Sequence, residues 1–528
     1  MSYSPILYQN DSNKFKLTSP PHRIPLSGMC LTKFDVKRGN TLVWSATVSP
    51  DVNLLNIEFK TLPSGIHEQE KDWISFVIPK SNGEFYYGIA LFSQNGIKLA
   101  GEEVTGHIDR KKVSMYSLAV IVDPELDPHG GEDYGYYNLK SNAYISANEY
   151  MDDMEVLIEQ YLESESENEI LERFFNSNKL VCAQGVPFTN PAGKLVTDHM
   201  PYLSERSRRT SGLSKEDNIP SATHSSWLHR IPEFFKRLGP LMFTLWKSCL
   251  LRERILIVHN RGDSFENTNA LVYCLSILSY VPRGLGDDDD KSEYLQTLYT
   301  IGVTDLEYLT GLVSNALSSA SVDKYDLPSF IACTSDEVLA QRSELFDLVL
   351  NLSVDTGIEV LKYDQLIKAT PTDWAAFRYL SELYLDYEFN DEEISNYLTN
   401  VEPLSWSQYL IDAFCWWATA GYFQPSYYSF DAVRICDPII EKSELETVIG
   451  LLENFHDRTN LLYNTLQGFT RADSSDEEDS LLVMSPFFLS KCGLDCFSSQ
   501  DYQLVRYLCE KWFNKMVEIR LLHFRPAC

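Results

Sequence analysis

The spacing of apolar residues changes twice along this 528-residue chain, and these changes constrain the fold more than any other feature. β-Branched and aromatic runs joined by short turns occupy 29–122, helical patterns alternate with short apolar strands over 231–340, and helical patterns alone continue beyond about 370. Hairpin-linked strands favour an antiparallel sheet, whereas strands that alternate with helices favour a parallel one. We therefore predict an α/β plus α fold: an antiparallel α/β module, a central α/β module with a parallel sheet, and an all-α C-terminal part.

The first module is predicted to contain four or five strands, one short helix and one acidic helix. Gly39, inside Arg38-Gly39-Asn40, predicts a hairpin turn because glycine tolerates positive φ. The acidic helix carries an apolar stripe of Met151, Met154, Leu157, Ile158 and Tyr161. The predicted strands are 29–36, 40–48, 73–79, 84–92 and 113–122, and the predicted helices are 53–62 and 148–162.

The central and C-terminal parts are predicted from helical spacing and capping signals. Thr334 with Glu337, and Thr304 with Glu307, fit the capping box that opens a helix. The central part is predicted to contain helices at 231–250 and 265–281 and strands at 255–258 and 329–333. The C-terminal part is predicted to contain helices at 374–387, 392–398, 406–422, 443–455 and 502–522.

Polar stretches suggest where the chain divides. The predicted divisions are a flexible lead-in (1–27), the first module (28–165), a linker (166–226), the central module (227–340) and the helical module (341–528). The linker contains a Ser/Arg-rich loop at 204–226, and the helical module contains an acidic loop at 473–480; both have too few apolar residues to form a core. Hydroxyls beside Arg208 and Arg209, or before acidic residues, are candidate phosphorylation sites: Ser207, Thr210, Ser211, Ser474 and Ser475.

Charge and cysteine usage exclude several classes of function. The chain has 75 acidic and 45 basic residues and a net charge of −30, so we expect no nucleic acid as its main partner. The start shows no secretory signal, and the longest apolar runs, 271–281 and 411–423, are too short to span a bilayer. Eleven irregularly spaced cysteines favour reduced thiols. We expect a cytoplasmic protein.

The sequence contains few of the motifs that indicate catalysis. The sequence has no phosphate loop, dinucleotide fingerprint, nucleophile elbow or zinc-protease helix. Cys492 and Cys496 form the one tight cysteine pair and are a poor zinc signal without a second pair. We predict no covalent or acid–base catalysis, no metal and no cofactor. An aromatic cluster is assigned to the core of the helical module rather than to ligand stacking; its members are Trp406, Trp416, Trp417, Tyr422 and Phe423.

Seven segments together resemble the tripartite DENN domain, in particular its LCHN-like branch and the fungal Avl-nine-related members. Phe330-Ile-Ala-Cys-Thr-Ser-Asp-Glu-Val338 with Leu345-Phe-Asp-Leu348 is similar to one family signature. The other segments are 34–44, 62–65 with Asp72 and Phe76, 110–121, 244–257 and 298–305. The likeness covers roughly 28–400. It implies a longin-like upstream module, a central DENN module and a downstream helical module.

The resemblance implies a regulator of small GTPases of the Rab family in membrane traffic. DENN proteins are typically guanine-nucleotide exchange factors, which open the switch regions and release GDP without a nucleophile. Mg²⁺ and the nucleotide then belong to the GTPase, which is the partner that the resemblance implies. A second DENN or trafficking protein is a further candidate partner. Peripheral attachment to endomembranes or lipid droplets is left open.

Two other functions compete with exchange. Folliculin-type relatives activate GTP hydrolysis with an arginine finger, and Arg110 falls near that position when the strand around Ser117 is aligned. The structural interpretation, which we favour, is that Arg110 and its basic neighbours begin an edge strand. The third function is that of a trafficking adaptor without catalytic activity. Cys528 is a candidate acylation site outside any prenylation motif.

Overall fold

The computed structural model describes the protein in two compact units. The described residues are 24–94, 114–126, 147–163, 168–179, 227–281, 294–318, 328–352, 357–385, 389–421, 444–472 and 481–520. The first unit contains the described residues up to 62 and those from 73 to 179, and the second contains 63–72 and the described residues from 227 onward.

The first unit is built on five neighbouring strands in the order β3-β4-β5-β1-β2. They are β1 (Leu26–Asp35), β2 (Gly39–Thr47), β3 (Lys71–Pro79), β4 (Phe85–Gln94) and β5 (Met115–Val122). The pairs β4–β5, β5–β1 and β1–β2 are antiparallel, as predicted. The predicted hairpin is also confirmed: Asp35 pairs with Gly39, whose φ of 78° is the left-handed conformation that glycine adopts without strain.

Three described helices accompany this sheet. They are α1 (Ile57–Thr61), α2 (Met151–Glu163) and α3 (Glu169–Asn178). The five residues of the predicted apolar stripe are all buried on α2. Tyr161 of α2 packs edge-to-face against Tyr116 of β5, with ring centroids 6.0 Å apart. The helical period in the sequence therefore identified the face that α2 turns to the core.

The second unit contains six neighbouring strands in the order β11-β10-β9-β6-β8-β7. They are β6 (Ile255–Val258), β7 (Gln296–Thr300), β8 (Phe330–Thr334), β9 (Leu348–Asn351), β10 (Glu359–Lys362) and β11 (Gln365–Ile367). The pairs β9–β6, β6–β8 and β8–β7 are parallel, which confirms the predicted parallel sheet. β10 and β11 extend it as an antiparallel hairpin. Short apolar strands such as Ile255–Val258 are fully buried, as expected for a sheet covered on both faces.

The helices of the central part differ from the prediction in one place, where a single predicted helix is divided into two. They are α4 (Ile231–Leu238), α5 (Leu241–Leu250), α6 (Phe265–Leu278), α7 (Leu306–Ser318) and α8 (Glu337–Ala340). The single helix predicted over 231–250 is wrong, because α4 ends at Gly239, which has a φ of 58°, and Pro240 follows. A positive-φ glycine ends a helix readily, and proline cannot donate the backbone hydrogen bond that would continue it.

Both predicted capping boxes are wrong in detail. Thr334 is the last residue of β8, and its hydroxyl accepts a hydrogen bond from Asp336 N at 3.0 Å, so it forms a turn before α8. In the earlier segment Asp305, rather than Glu307, accepts a hydrogen bond from Gly302 N at 3.0 Å. Polar side chains cap both turns, but the first helical residue lies elsewhere than the sequence spacing indicated.

The C-terminal part is mostly helical, with two corrections. Its helices are α9 (Pro371–Tyr384), α10 (Asp391–Leu398), α11 (Trp406–Ala418), α12 (Glu444–Ala472), α13 (Pro486–Lys491) and α14 (Ser499–Phe513). The prediction of helices alone beyond about 370 is wrong, because β12 (Leu482–Met484) pairs in parallel with β13 (Val517–Ile519). The helix predicted over 502–522 ends at Phe513, since Asn514 adopts the left-handed conformation. The α/β plus α fold class is confirmed.

Aromatic side chains join the helices of the second unit into one core. Phe235 of α4 lies 5.0 Å from Phe377 of α9, and Phe243 of α5 lies 5.1 Å from Phe455 of α12, measured between ring centroids. The indole nitrogen of Trp246 donates to Thr459 Oγ1 at 3.0 Å. The C-terminal helices α9 and α12 therefore complete the core of the central helices.

Candidate functional site

The site residues that the sequence suggested lie outside the described residues. This holds for Arg110, for the phosphorylation candidates Ser207, Thr210, Ser211, Ser474 and Ser475, and for Cys528. The loops 204–226 and 473–480 lie outside the described residues as well.

The strand that follows Arg110 corrects one interpretation. We assigned the basic residues 110–112 to the start of an edge strand. β5 pairs with β4 on one side and with β1 on the other, so it is an internal strand of the first unit. The predicted edge position of this strand is therefore wrong, and residues 110–112 themselves lie outside the described residues.

Lys247 is a buried cation of the second unit that forms two ion pairs. Its Nζ donates to Asp373 Oδ2 and to Asp501 Oδ1, both at 2.8 Å. Burial opposes the charged form of Lys247, but the two carboxylates more than offset this effect and raise its pKa. Burial raises the pKa of Asp501 to about 6, and Lys247 opposes that rise. This cluster ties α5 to α9 and α14 and is structural.

Two buried histidines are also structural. His259 stacks on Phe265 with centroids 4.1 Å apart, and its Nδ1 lies 2.8 Å from Thr268 Oγ1. His456 Nε2 lies 3.3 Å from the carbonyl oxygen of Ile277. Burial lowers the pKa of each imidazole to about 4, so both are neutral at neutral pH.

The cysteines have the properties of core residues. The eight within the described residues are all free, and six of them are buried. Burial raises the pKa of Cys30, Cys249 and Cys333 to about 12, so these thiols are protonated at neutral pH. Cys492 is buried and Cys496 half-buried, and within the described residues no cluster of His, Cys, Asp and Glu has the arrangement of a metal site.

Asp72 caps the start of α6, the helix that follows the parallel strand β6. Its carboxylate accepts hydrogen bonds from Ser264 Oγ and Phe265 N, both at 2.7 Å, at the start of α6. Gln69 Nε2 donates to the carbonyl oxygen of Gly262 at 2.8 Å in the preceding loop. A carboxylate of the chain itself thus occupies the positive end of the α6 dipole.

Exposed apolar residues on the first unit form a candidate interaction surface. The hairpin surface consists of Phe34, Val36, Leu42, Val43, Leu55 and Phe59, each exposed. The amide of Asn40 donates to the carbonyl oxygens of Glu58 and Leu62, at 3.4 and 3.0 Å, and thereby holds α1 beside β2. β2 is the last strand in its sheet, and none of its residues is buried. Contiguous exposed apolar residues often mark a binding surface.

A second exposed apolar surface lies on α11. The assignment of its tryptophans to the core is wrong: Trp406 is 84% exposed and Trp417 72%, with Leu410 at 71% and Phe414 at 64%. Tyr422 and Phe423 lie outside the described residues. We call Trp406, Leu410, Phe414 and Trp417 the aromatic helix face. Among the described helices, none is both long and apolar enough to cross a membrane.

Sequence reasoning missed both exposed surfaces and the Lys247 cluster. Apolar residues at helical spacing predict an apolar face, but they do not say whether the rest of the chain covers it. Lys247 and Asp501 lie 254 residues apart, and no local pattern signals a contact at that separation. Asp72 was part of the family resemblance, yet its role as a cap became evident only in the structure.

Comparison with known proteins agrees with the resemblance. A protein of Saccharomyces cerevisiae, named uncharacterized protein ANR2, is 31% identical over 522 residues, which cover 94% of this chain and 92% of that protein. DENN domain-containing protein 11 of Xenopus laevis is 24% identical over 359 residues, 68% of this chain and 66% of that protein. The rat protein of the same name is 25% identical over 351 residues, 66% of this chain and 62% of the relative. The family model described as DENN domain-containing protein 11 matches residues 29–360, and the chain therefore belongs to this family of DENN-domain proteins.

Proposed function

We propose that this protein regulates a small GTPase of the Rab family in membrane traffic, as a guanine-nucleotide exchange factor. The observation that carries the proposal is the family match over 29–360, which contains most of both described sheets. Exchange requires a surface that prefers the nucleotide-free GTPase and displaces its switch regions, and it requires no nucleophile or resident cofactor. Mg²⁺ and GDP belong to the GTPase.

The hairpin surface is our candidate for the GTPase contact. It lies inside the matched stretch, and Val36 and Leu55 are 62% and 74% exposed. Lys37 and Arg38 at the hairpin turn bring positive charge to this part of an otherwise acidic chain, and their backbone N–H groups both donate to Asp35 Oδ1. An apolar centre with charges at its rim is the usual anatomy of a specific protein interface. The charges would accelerate association with an acidic surface at low salt.

The test is release of fluorescent GDP from a panel of purified Rab GTPases in the presence of the full chain. We expect faster release from at least one of them. The double variant Val36→Asp with Leu55→Asp should lose at least ~10-fold in exchange rate, since each change places a charge in an apolar contact. Leu366→Asp, at a site on the second unit that is 54% exposed, is the control and should retain activity. Absence of acceleration across the whole panel with a folded sample would favour an adaptor instead.

Activation of GTP hydrolysis by Arg110 is the second candidate function. It is supported by the family resemblance, which aligns Arg110 with the arginine finger of folliculin-type relatives. An arginine finger neutralises charge on the γ-phosphoryl group in the transition state and contributes ~10³–10⁵ in rate. Hydrolysis measured on the same panel of GTPases separates this function from exchange.

A further inference from the structure

The helix α11 has its polar side towards the protein and its apolar side outward. The half-buried positions of the helix are Gln408, Asp412 and Cys415. The aromatic helix face occupies positions i, i+4, i+8 and i+11, which lie on one side of a helix, and Tyr409, Ile411 and Trp416 flank it and are also exposed. An ordinary surface helix has the opposite orientation, with its apolar stripe against the core. Within the part of the chain that the structure describes, this face remains uncovered.

The segment that carries α11 is well anchored. Glu402, four residues before the helix, accepts hydrogen bonds from Ser498 Oγ at 2.9 Å and from Gln500 Nε2 at 2.6 Å, at the start of α14. The Ser405 hydroxyl caps the helix by accepting from Gln408 N at 3.2 Å. Trp406 and Trp417, eleven residues apart, are separated by ~16 Å along the helix axis, so a helix lying flat presents both indoles to one plane.

The net charge of −30 argues against a second copy of this chain, because copies that carry the same large charge repel each other. A lipid surface without net charge causes no such repulsion, and an inserted side chain needs no complementary partner residue.

The charges of residues 400–421 indicate which class of lipid headgroup this segment can approach. Residues 400–421 contain no Lys or Arg, and their acidic side chains are Glu402, which is hydrogen-bonded to α14, and the half-buried Asp412. Such a segment has no attraction for anionic lipid, and the net charge of −30 opposes it further. Tryptophan and tyrosine rings favour the headgroup level of a bilayer, where an apolar ring and a polar N–H or O–H are both accommodated.

We propose that the aromatic helix face inserts α11 in-plane into the surface of a neutral, phosphatidylcholine-type lipid layer and attaches the protein peripherally to membranes. Helices of this kind lie in the interface with the apolar side buried ~5–10 Å. α11 lies outside the stretch matched by the family model, which ends at residue 360. The proposal therefore does not depend on the proposed GTPase function.

The experiment uses the purified full chain and phosphatidylcholine vesicles, with flotation to measure binding and bromine-labelled acyl chains to quench tryptophan that enters the bilayer. We expect the wild-type protein to float with the vesicles and to be quenched. The variant Trp406→Ser with Trp417→Ser should bind at least ~10-fold more weakly. Leu410→Ser with Phe414→Ser provides a second variant that keeps all tryptophans and should also lose binding.

The matched control is Val338→Ser with Leu366→Ser, which removes two exposed apolar side chains elsewhere on the second unit and should bind like the wild type. Replacing a third of the lipid by phosphatidylserine should not increase binding. Absence of wild-type flotation, equal binding of the helix variants, or a several-fold gain with phosphatidylserine would overturn the proposal. A wild-type dimer in sedimentation velocity that the helix variants dissociate would assign the face to a second copy and would overturn it as well.

Discussion

The ammonium group of Lys247 lies 2.8 Å from Oδ1 of Asp501, although 254 residues separate the two along the chain. The second oxygen of Asp501 accepts a hydrogen bond from Asp495 N at 2.8 Å, and Asp373 Oδ2 accepts one from Thr370 N at 3.1 Å. One cation thus holds two carboxylates, each of which also accepts a hydrogen bond from the backbone. This arrangement fixes the positions of three helices, α5, α9 and α14.

The substitution Lys247→Met should strongly destabilise the second unit. It leaves two carboxylates buried and close together without their cation, and loss of one partner from a buried ion pair costs ~3–5 kcal/mol. Chemical denaturation followed by tryptophan fluorescence measures the loss. The exposed pair Arg173–Glu169 is the control, since Arg173→Met should cost less than ~1 kcal/mol. Similar losses for the two variants would contradict the structural role of the cluster.

We expect the free energy of unfolding to decrease in mild acid, because His456 is buried in its neutral form. Its pKa falls from 6.5 to about 4 on burial, so between these values the unfolded chain binds more protons, and stability decreases as pH falls through that window. His456→Gln should reduce the stability lost between pH 7 and pH 5 by about 2 kcal/mol. Asp501, whose pKa is raised, acts with the opposite sign, but it is present in both proteins.

Denaturation midpoints at the two pH values measure this effect. The wild-type protein, measured at the same two pH values, is the reference. An unchanged pH dependence in His456→Gln would contradict the assignment of the effect to that buried ring.

Asp72→Ala should loosen the first turn of α6. The change removes the acceptor for Ser264 Oγ and Phe265 N, and loss of a helix cap costs ~1–2 kcal/mol. Amide hydrogen exchange at Phe265 should accelerate, and the denaturation midpoint should fall. Asp72→Asn retains an acceptor oxygen and should lose less than half as much, whereas Asp51→Ala, at an exposed aspartate, should change neither quantity.

Arg110→Ala distinguishes the two GTPase mechanisms. If the protein activates hydrolysis, the variant should lose that activity while binding the GTPase nearly normally, because the finger acts mainly in the transition state. Arg110→Lys should retain little of the stimulated GTP hydrolysis, since an ammonium lacks the planar fork of the guanidinium. If the protein is an exchange factor, GDP release should be nearly unchanged. Loss of neither activity would exclude Arg110 from both mechanisms.

Local sequence patterns predicted the secondary structure where nearby residues alone determine the conformation of an element. The hairpin around Gly39, the buried stripe of α2 and the apolar strand Ile255–Val258 follow from turn chemistry and periodicity within about a dozen residues. The resemblance to the DENN family likewise depended on short strings in a fixed order, and the family match over 29–360 confirms it.

Only the tertiary structure decided which polar residues are paired and which apolar faces stay exposed. The sequence contains Lys247, Asp373 and Asp501, but their contact depends on the packing of three helices far apart in the chain. The sequence also gives α11 an apolar face, yet its exposure depends on what the remaining chain leaves uncovered. β5 became an internal strand in the same way, through pairing with β1 and β4. Burial and pairing are properties of the whole packed chain, because they depend on neighbours distant in sequence that no local pattern specifies.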